Sequence, residues 1–259
     1  MNVLAVPRNL AWAVLLAGVV LGPLQAEEQA AVDNAVALVQ EARCDLVAAN
    51  PGAAEPKLRA ACELQPQWLA PHQWLALVRH LQGDRAGALQ EYLAVQSPTY
   101  DFCPLGRSNP PEARDAILQA EALTMWLIND TRLREGVPLL RPEPRLSVVA
   151  RGHSLEMRDL DYFDHESPNA DQARLADRFR FVFALLPRVI AVNIGRYWGN
   201  HPVLDEEHIL AIHQDFLNSE EHRRNLLLPD VTSFGVGVAA DAQGAFWLTE
   251  DLVEYQEPK

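Results

Sequence analysis

Two histidines in the C-terminal half of the chain, His165 and His222, have neighbours that suit chemistry. His165 lies in Asp-Tyr-Phe-Asp-His-Glu-Ser-Pro-Asn (161–169), and His222 lies in Ser-Glu-Glu-His-Arg-Arg-Asn (219–225). Two imidazoles that face one cleft can hold Zn²⁺ or another divalent metal, which normally takes three or four ligands. Glu166 or water would complete that shell. Nearly sixty residues separate the histidines, so only the fold can bring them together.

The carboxylates beside His165 are expected to act on its charge. Asp164 and Glu166 flank the histidine, and a neighbouring negative charge favours the protonated imidazole and fixes its tautomer. The serines nearby do not form a nucleophile site, because no Gly-x-Ser-x-Gly elbow occurs in the chain. Ser167 is typical of a turn, and Ser154 of a hydroxyl on or under a helix.

The composition excludes some partners. The net charge is −13, and such a surface repels nucleic-acid phosphates and anionic lipid headgroups. Hydrophobic residues make up 49% of the chain, which is enough for a core. Residues 1–26 are typical of a signal peptide, with Arg8, an apolar run at 10–22 and a cleavage site at Ala26. An uncleaved N-terminal anchor is the alternative. No other segment is apolar enough to cross a membrane, so the mature chain is expected to be exported to a periplasm or outside the cell.

Three cysteines, Cys44, Cys62 and Cys103, precede the histidine segments. An oxidising compartment would permit one disulfide and leave one thiol free. Cys44 and Cys62 lie nearly equidistant from the turn at 50–52, which would place them side by side in an antiparallel helix pair. The sequence therefore favours a Cys44–Cys62 disulfide, and pairing of either one with Cys103 stays open.

The first hundred residues are predicted to be helical, because apolar residues recur there at helical spacing. Helices are predicted over 30–49, 56–64, 71–81 and 85–95. The last pair resembles a tetratricopeptide-type repeat, which the order of a few residues indicates: Trp74, Leu75, Gly83, Ala88, Tyr92 and Pro98. Two interpretations of residues 27–98 stay open, since they could form a helical cap on the next domain or a groove that binds a peptide.

Proline, glycine and asparagine crowd into residues 99–111, which is typical of a linker. Beyond it a domain is predicted over 112–259. Its helices are expected at 112–134, 144–160 and 206–217, with partly helical structure at 173–185, and its strands at 188–196, 234–240 and 245–253. Helices on both sides of a short antiparallel sheet make this an α+β fold, an α-β-α sandwich that an all-α region of helical hairpins precedes.

Five short motifs follow one another between Leu123 and Tyr255, just over half of the chain. In this order they resemble the CAP superfamily, also called the SCP-like extracellular domain, in its bacterial form. The motifs are Asn129-x-x-Arg132 with Gly136-Val137-Pro138-Leu139, Leu146-x-x-x-Ala150-x-x-His153-Ser154-x-x-Met157, Tyr162-Phe163-x-His165-x-Ser167-Pro168, Ser219-x-x-His222-Arg223-x-Asn225, and Phe234-Gly235-Val236-Gly237-Val238.

The resemblance implies an α-β-α sandwich, export, and a cleft with two histidines and up to two acidic residues. By motif position the histidines are His165 and His222. One family glutamate precedes an Asn-Ile pair, and here that position holds Val192 before Asn193. The second acidic position falls near Ser219. Glu166, Ser219 and Asn193 therefore join the histidines as candidate cleft residues, while the lost glutamate disfavours acid–base catalysis.

Three functions stay open at this point. The first is a binding protein without catalytic activity, whose two-histidine cleft holds a small apolar or peptide ligand, as lipid and sterol binding elsewhere in the superfamily implies. The second is a metal-assisted hydrolase that acts on peptides or cell-envelope polymers. The third is an adaptor that recruits a protein through its N-terminal helices. The lost glutamate at Val192 and the absence of a nucleophile motif favour the first.

Overall fold

The computed structural model describes residues 23–96, 106–183, 185–199 and 202–254. Residues 1–22 of the predicted signal peptide, residues 99–105 of the predicted linker and Cys103 lie outside these ranges. The first part consists of helices that pack as two successive hairpins, one of α1 with α2 and one of α3 with α4. Their bounds are α1 (Pro23–Val47), α2 (Pro51–Leu64), α3 (Leu69–Leu81) and α4 (Arg85–Gln96).

The rest of the chain combines helices with a sheet and confirms the α+β class. Its helices are α5 (Arg114–Arg134), α6 (Pro144–Asp159), α7 (Leu175–Arg180), α8 (Glu206–Asn218) and α9 (Glu220–Leu226). Its strands are β1 (Arg141–Pro142), β2 (Val189–Tyr197), β3 (Ser233–Ala240) and β4 (Phe246–Glu254). The predicted hairpin of β3 and β4 is present, and β2 pairs antiparallel with β4 along its whole length.

The four-stranded sheet has the order β1-β3-β4-β2, with β1 parallel to β3. Alternation along the strands gives it two buried faces. One face carries Gly235 and Gly237 and lies against α6, where a Cβ atom on Gly237 would come within 1.9 Å of the Arg151 nitrogen. The other face packs against α5, α8 and α9. Glycine is thus needed on β3 because the α6 backbone touches the sheet.

The N-terminal helices share a core with the sheet domain. Trp74 on α3 and Tyr92 on α4 belong to the same buried apolar cluster as Trp126 on α5. A polar link accompanies this packing, since the Tyr92 hydroxyl lies 3.4 Å from a Glu121 oxygen. Glu121 is fully buried and accepts two bonds of 2.7 and 2.8 Å from Arg151 of α6. These contacts join α4, α5 and α6 through one carboxylate.

Some predicted boundaries are wrong for local reasons. The helix predicted from Pro56 begins at Pro51, because the Asn50 side chain accepts a hydrogen bond from the Ala53 nitrogen and Pro51 suits the first helical turn. Helix α9 and the two-residue strand β1 were not predicted. His222 therefore lies on a helix and not in a loop.

The predicted Cys44–Cys62 disulfide is also wrong, because both cysteines are free thiols. The register of the hairpin explains this, since the Lys57 amino group lies 2.7 Å from the Asp45 carboxylate and sets those residues opposite each other. Cys44 then lies opposite residue 58, and Cys62 lies four residues further along α2, about 6 Å along the helix axis. That offset does not suit the short Cβ–Cβ distance of a disulfide.

The division into a helical region at 27–98, a linker at 99–111 and a domain at 112–259 stays a prediction, as does the tetratricopeptide resemblance. Within the described ranges, no helix combines the length and the apolar character that a membrane crossing requires.

Candidate functional site

The loop between α6 and α7 carries His165 on the surface. Its imidazole and the carboxylate of Glu166 are both exposed. Arg178 of α7 is buried and donates a 2.8 Å hydrogen bond from Nη1 to the His165 carbonyl oxygen. This bond fixes the backbone of the loop from below, and the imidazole projects from an anchored segment.

His222 lies in the first turn of α9, half-buried, with its ring 4.9 Å from the ring of Phe216. Ser219 stands at the junction where α8 ends and α9 begins, and its carbonyl oxygen accepts the Arg223 N–H. The far end of α9 is fixed by buried Arg132, whose guanidinium donates to the carbonyl oxygens of Leu226 and Leu228 at 2.6 and 3.1 Å. Arg132, which belongs to the first of the five sequence motifs, thus positions the helix that carries His222.

The two histidines are close enough to act on each other electrostatically. The pKa of His165 is lowered, first by burial, then by the positive charge of Arg178, with a smaller lowering from His222. Asp164 does favour the charged imidazole, as expected, but burial and then the charge of Arg178 act more strongly in the opposite direction.

A polar network lies under His222 within the sheet. Asn193 of β2 is fully buried and donates to the Glu250 carboxylate at 3.0 Å and to the His222 carbonyl oxygen at 3.4 Å. Its own side-chain oxygen accepts a 3.0 Å bond from Asn225 of α9, which also donates to the Val192 carbonyl oxygen. Asn193 therefore ties α9 to the sheet. Burial raises the pKa of Glu250 to about 8.

A second polar network lies on the α6 side of the sheet. His153 is buried, and its Nε2 lies 3.1 Å from the Asp164 carbonyl oxygen. The Tyr162 hydroxyl donates to Glu156 at 2.9 Å and lies 3.3 Å from Nδ1 of His153. Burial lowers the pKa of His153 to about 3, so this imidazole stays neutral and supports the loop.

Two further positions of the sheet, Asp251 and Val192, are buried. Asp251 of β4 is 1% exposed, and burial raises its pKa to about 7. Val192, which the resemblance predicts to stand at the position of the family glutamate, is buried among apolar side chains such as Met157 and Trp247. Within the part of the chain that the structure describes, no group of three or more His, Cys, Asp or Glu side chains could hold a metal ion. His165 and His222 alone do not supply the ligand set of a structural zinc site.

The other singled-out residues have structural contacts. Ser154 is buried and donates to the Gly237 carbonyl oxygen at 2.8 Å. Ser167 accepts the Asn169 N–H, as a turn requires. The Arg223 guanidinium pairs with Glu135 at 2.8 Å. His208 and His213 point to separate partners, Asp205 and Thr131.

Sequence reasoning missed the buried acids Glu250 and Asp251. A signal was present, because two adjacent acids stand inside a predicted strand whose neighbours are apolar on both faces. Adjacent strand residues point to opposite faces, so both faces of the sheet had to receive a carboxylate.

Large apolar side chains are exposed on the segments that adjoin His165. On the loop itself, Leu160 and Phe163 are each 44% exposed, and in the α7–β2 segment Phe181 and Leu185 are 51% and 83% exposed, with Leu186 at 40%. Helix α7 touches the loop through the Arg178 bond to His165. The loop that carries His165 and the segment after α7 thus both expose apolar side chains.

Comparisons with known proteins agree on the C-terminal part of the chain. The model of the Cysteine-rich secretory protein family, CAP, matches residues 126–252. The uncharacterized protein YkwD of Bacillus subtilis (strain 168) is 31% identical over 135 residues, which are 52% of this chain and 48% of YkwD. The uncharacterized membrane protein YlbC of the same organism is 31% identical over 119 residues, which are 46% of this chain and 31% of YlbC.

Among solved structures, an extracellular protein containing an SCP domain from Bacillus anthracis str. Ames is similar to this chain, with 30% identity and a TM-score of 0.44. The similarity covers 57% of this chain and 45% of that one. The chain thus spans about half or less of the length of each relative it matches.

Proposed function

Residues 126–252 form a CAP domain, and from that premise we propose that this protein is an exported, non-catalytic binding protein whose His165–His222 surface holds a small apolar ligand. The observation that carries the proposal is the exposure of Phe163, Phe181 and Leu185 on the segments that adjoin His165. Exposed apolar patches on a water-soluble domain mark interaction sites more often than chance.

The polar groups at this surface suit recognition of one polar end of a ligand. His165 is exposed and His222 half-exposed, and the pKa of His165 is lowered, so its imidazole tends to be neutral near pH 7. A neutral imidazole offers one donor and one acceptor. A carboxyl, hydroxyl or carbonyl group on an otherwise apolar molecule could bond there while its apolar part covers Phe163 and Phe181.

The absence of a carboxylate at Val192 argues against acid–base catalysis. General acid–base chemistry needs a titrating group within hydrogen-bond reach of the reacting atom. Glu156, Glu250 and Asp251 are each at most 1% exposed and lie beneath the surface. They are suited to holding the fold and are poorly placed to reach a bound substrate.

A fluorescent fatty acid, cis-parinaric acid, tests the proposal. The mature protein should bind it saturably, and Leu186→Ser should weaken binding while Leu210→Ser on α8 should not. Both leucines are 40% exposed, so the pair is matched in residue type and exposure. His165→Ala should weaken binding of the fatty acid more than that of its methyl ester. Turnover of casein or peptidoglycan fragments that His165→Ala abolishes would contradict the proposal.

Export to a periplasm or the cell exterior is part of the same proposal. It rests on the apolar N-terminal run and on the CAP domain, a family whose members are typically extracellular. Mass determination of the protein recovered from the producing cell's exterior or periplasm should show a chain that begins near Glu27. Recovery of the unprocessed chain from the cytosol would contradict export.

A further inference from the structure

Three side chains at the end of β2 form a layered stack. The Arg196 guanidinium carbon lies 4.8 Å from the ring centre of Trp198 and 4.9 Å from that of Trp247. Trp247 is 4% exposed and forms the buried base, whereas Trp198 is 61% exposed and forms the outer layer. Cation–π attraction holds an Arg over an indole ring. The stack therefore presents the flat face of one tryptophan to solvent.

The strand on which the stack stands is fixed from the other side. Tyr197, between Arg196 and Trp198, points to the opposite face, where its ring lies 4.1 Å from His208 and 5.8 Å from Phe246. Arg196 pairs with Trp247 across the β2–β4 ladder. The backbone before Trp198 is thus held by ring packing on one face and by the Arg–Trp stack on the other. Binding of a ligand would therefore cost little conformational entropy in this segment.

A carboxylate stands beside this platform. Asp161 ends α6 in the left-handed conformation, with φ of 52°, and the Tyr162 N–H bonds to the Met157 carbonyl oxygen behind it. Its side chain is 89% exposed, and one of its oxygens lies 3.8 Å from Nη2 of Arg196. That distance is too long for a hydrogen bond. Both groups therefore keep capacity for a ligand.

We propose that Trp198, Arg196 and Asp161 form a subsite for one pyranose ring of a neutral oligosaccharide. A pyranose has an apolar C–H face that stacks on an indole ring, and its hydroxyl groups lie in pairs around its edge. A carboxylate accepts two such hydroxyls and a guanidinium donates to others. A flat exposed ring, an acceptor and a donor at one edge match that ligand.

The subsite uses side chains other than those proposed to hold the apolar ligand, although Asp161 begins the loop that carries His165. Its Arg196 lies further along β2 than Val192 and Asn193. Arg196 and Val192 point to the same face of the sheet and are four residues apart on β2, which is about 13 Å at the rise of a strand. The inference goes beyond the proposed binding of a small apolar ligand and does not depend on it. A ligand that spans both places would have to be a chain of several units.

The test uses the full mature protein and N-acetylchitotetraose as the probe, by calorimetry and by tryptophan fluorescence. The wild type should bind saturably. Trp198→Ala should bind about tenfold or more weakly, because the stacked area is lost, and Trp198→Phe should lie between them. Asp161→Gly should bind several-fold more weakly because the carboxylate acceptor is lost. The backbone should keep its conformation, since glycine tolerates the φ of 52°. Val203→Ala, which removes an apolar side chain that is 49% exposed, is the control and should match the wild type.

Cis-parinaric acid binding by Trp198→Ala should remain at the wild-type level, which separates this inference from the proposed function. Thermal unfolding of the variant should also be unchanged, because the removed side chain is mostly exposed. An absence of saturable oligosaccharide binding by the wild type would overturn the inference. Equal affinity of the wild type and Trp198→Ala for the oligosaccharide would also overturn it. The same holds if the wild type binds casein peptides and no oligosaccharide, and Trp198→Ala abolishes the peptide binding.

Discussion

The Asn193 side-chain nitrogen lies 3.0 Å from the Glu250 carboxylate, and both side chains are shielded from water. The bond joins neighbouring strands, since Asn193 and Glu250 are paired across the β2–β4 ladder. Asn193 also contacts the α9 backbone at His222, so the protonation state of Glu250 bears on the element that carries this histidine.

Stability is expected to fall as the pH rises towards 8. The pKa of Glu250 is raised from 4.5 to about 8 in the folded protein, and that of Asp251 from 3.8 to about 7. Between the unfolded and folded pKa values, the folded chain keeps a proton that the unfolded chain has lost. The free energy of unfolding then decreases by up to about 1.4 kcal/mol per pH unit for each group. Below pH 4 the contribution is fully present.

Glu250→Gln removes the Glu250 part of this dependence and keeps an acceptor for Asn193. Urea unfolding at pH 5, 6, 7 and 8 should give a shallower slope for the variant, most clearly from pH 7 to 8, where Asp251 contributes little. Glu207→Gln, at an exposed position of α8, should keep the wild-type slope. Identical slopes for Glu250→Gln and the wild type would show that Glu250 has an ordinary pKa.

The buried pair of Glu121 and Arg151 should be costly to break. Glu121→Ala removes the carboxylate that lies 2.7 Å from Arg151, whose side chain is only 3% exposed, and it removes the acceptor of the Val238 N–H. We expect the free energy of unfolding to drop by about 3–5 kcal/mol. Glu220→Ala removes one partner of the exposed pair with Arg224 and should cost under about 1 kcal/mol. Denaturant midpoints of the two variants measure the contrast, and equal losses would refute it.

Two glycines should respond to alanine with opposite signs. A Cβ at position 237 would clash with the α6 backbone, so Gly237→Ala must push the helix from the sheet and should cost about 3 kcal/mol or more. Gly152 lies within α6 with no atom within 4 Å of an added Cβ. Gly152→Ala should therefore stabilise by about 0.5–1 kcal/mol. Thermal midpoints measured side by side decide the matter, and a stable Gly237→Ala protein would mean that α6 does not touch β3.

The end of α1 offers a stabilising change. Ala49 has a φ of 55°, and the Asn50 N–H bonds to the Asp45 carbonyl oxygen, as in a helix that normally ends with glycine. Ala49→Gly should stabilise by about 0.5–1 kcal/mol because it relieves the left-handed strain. Ala37→Gly, at an exposed position inside α1, should destabilise by about 1 kcal/mol. The free energies of unfolding come from urea titrations, and changes of the same sign for the two variants would contradict the left-handed conformation of Ala49.

Much of the fold was predictable because the periodicities were strong. The four N-terminal helices, the helix at 144–160 and the β3–β4 hairpin appear within a few residues of their expected bounds, apart from the early starts of α1 and α2. The motif at Phe234–Val238 contains two glycines, and the structure explains them, because the α6 backbone lies against Gly235 and Gly237. Strand β2 was predicted from its own residues, and β4 as the hairpin partner that follows the turn at 241–244.

The site was less predictable, because long-range contacts decide it. Nothing in the residues around His165 reveals that Arg178 lies beneath the loop and outweighs Asp164. The short helix α9 carries mostly charged residues, so it lacks the apolar periodicity from which a helix is predicted. The helix pairing around Cys44 depends on a register that Lys57 and Asp45 set, which sequence distance from a turn does not give.

The packing of α3 and α4 against α5 also bears on the order in which the chain folds during synthesis. Synthesis delivers α1–α4 before the sheet, so Tyr92 and Trp74 are in place when α5 appears and can cover Trp126 at once. The last-made strands, β3 and β4, then close over an α5 that is already covered on its other side. A protein made without the first hundred residues would leave that side of α5 bare, and we expect it to aggregate where the whole chain folds.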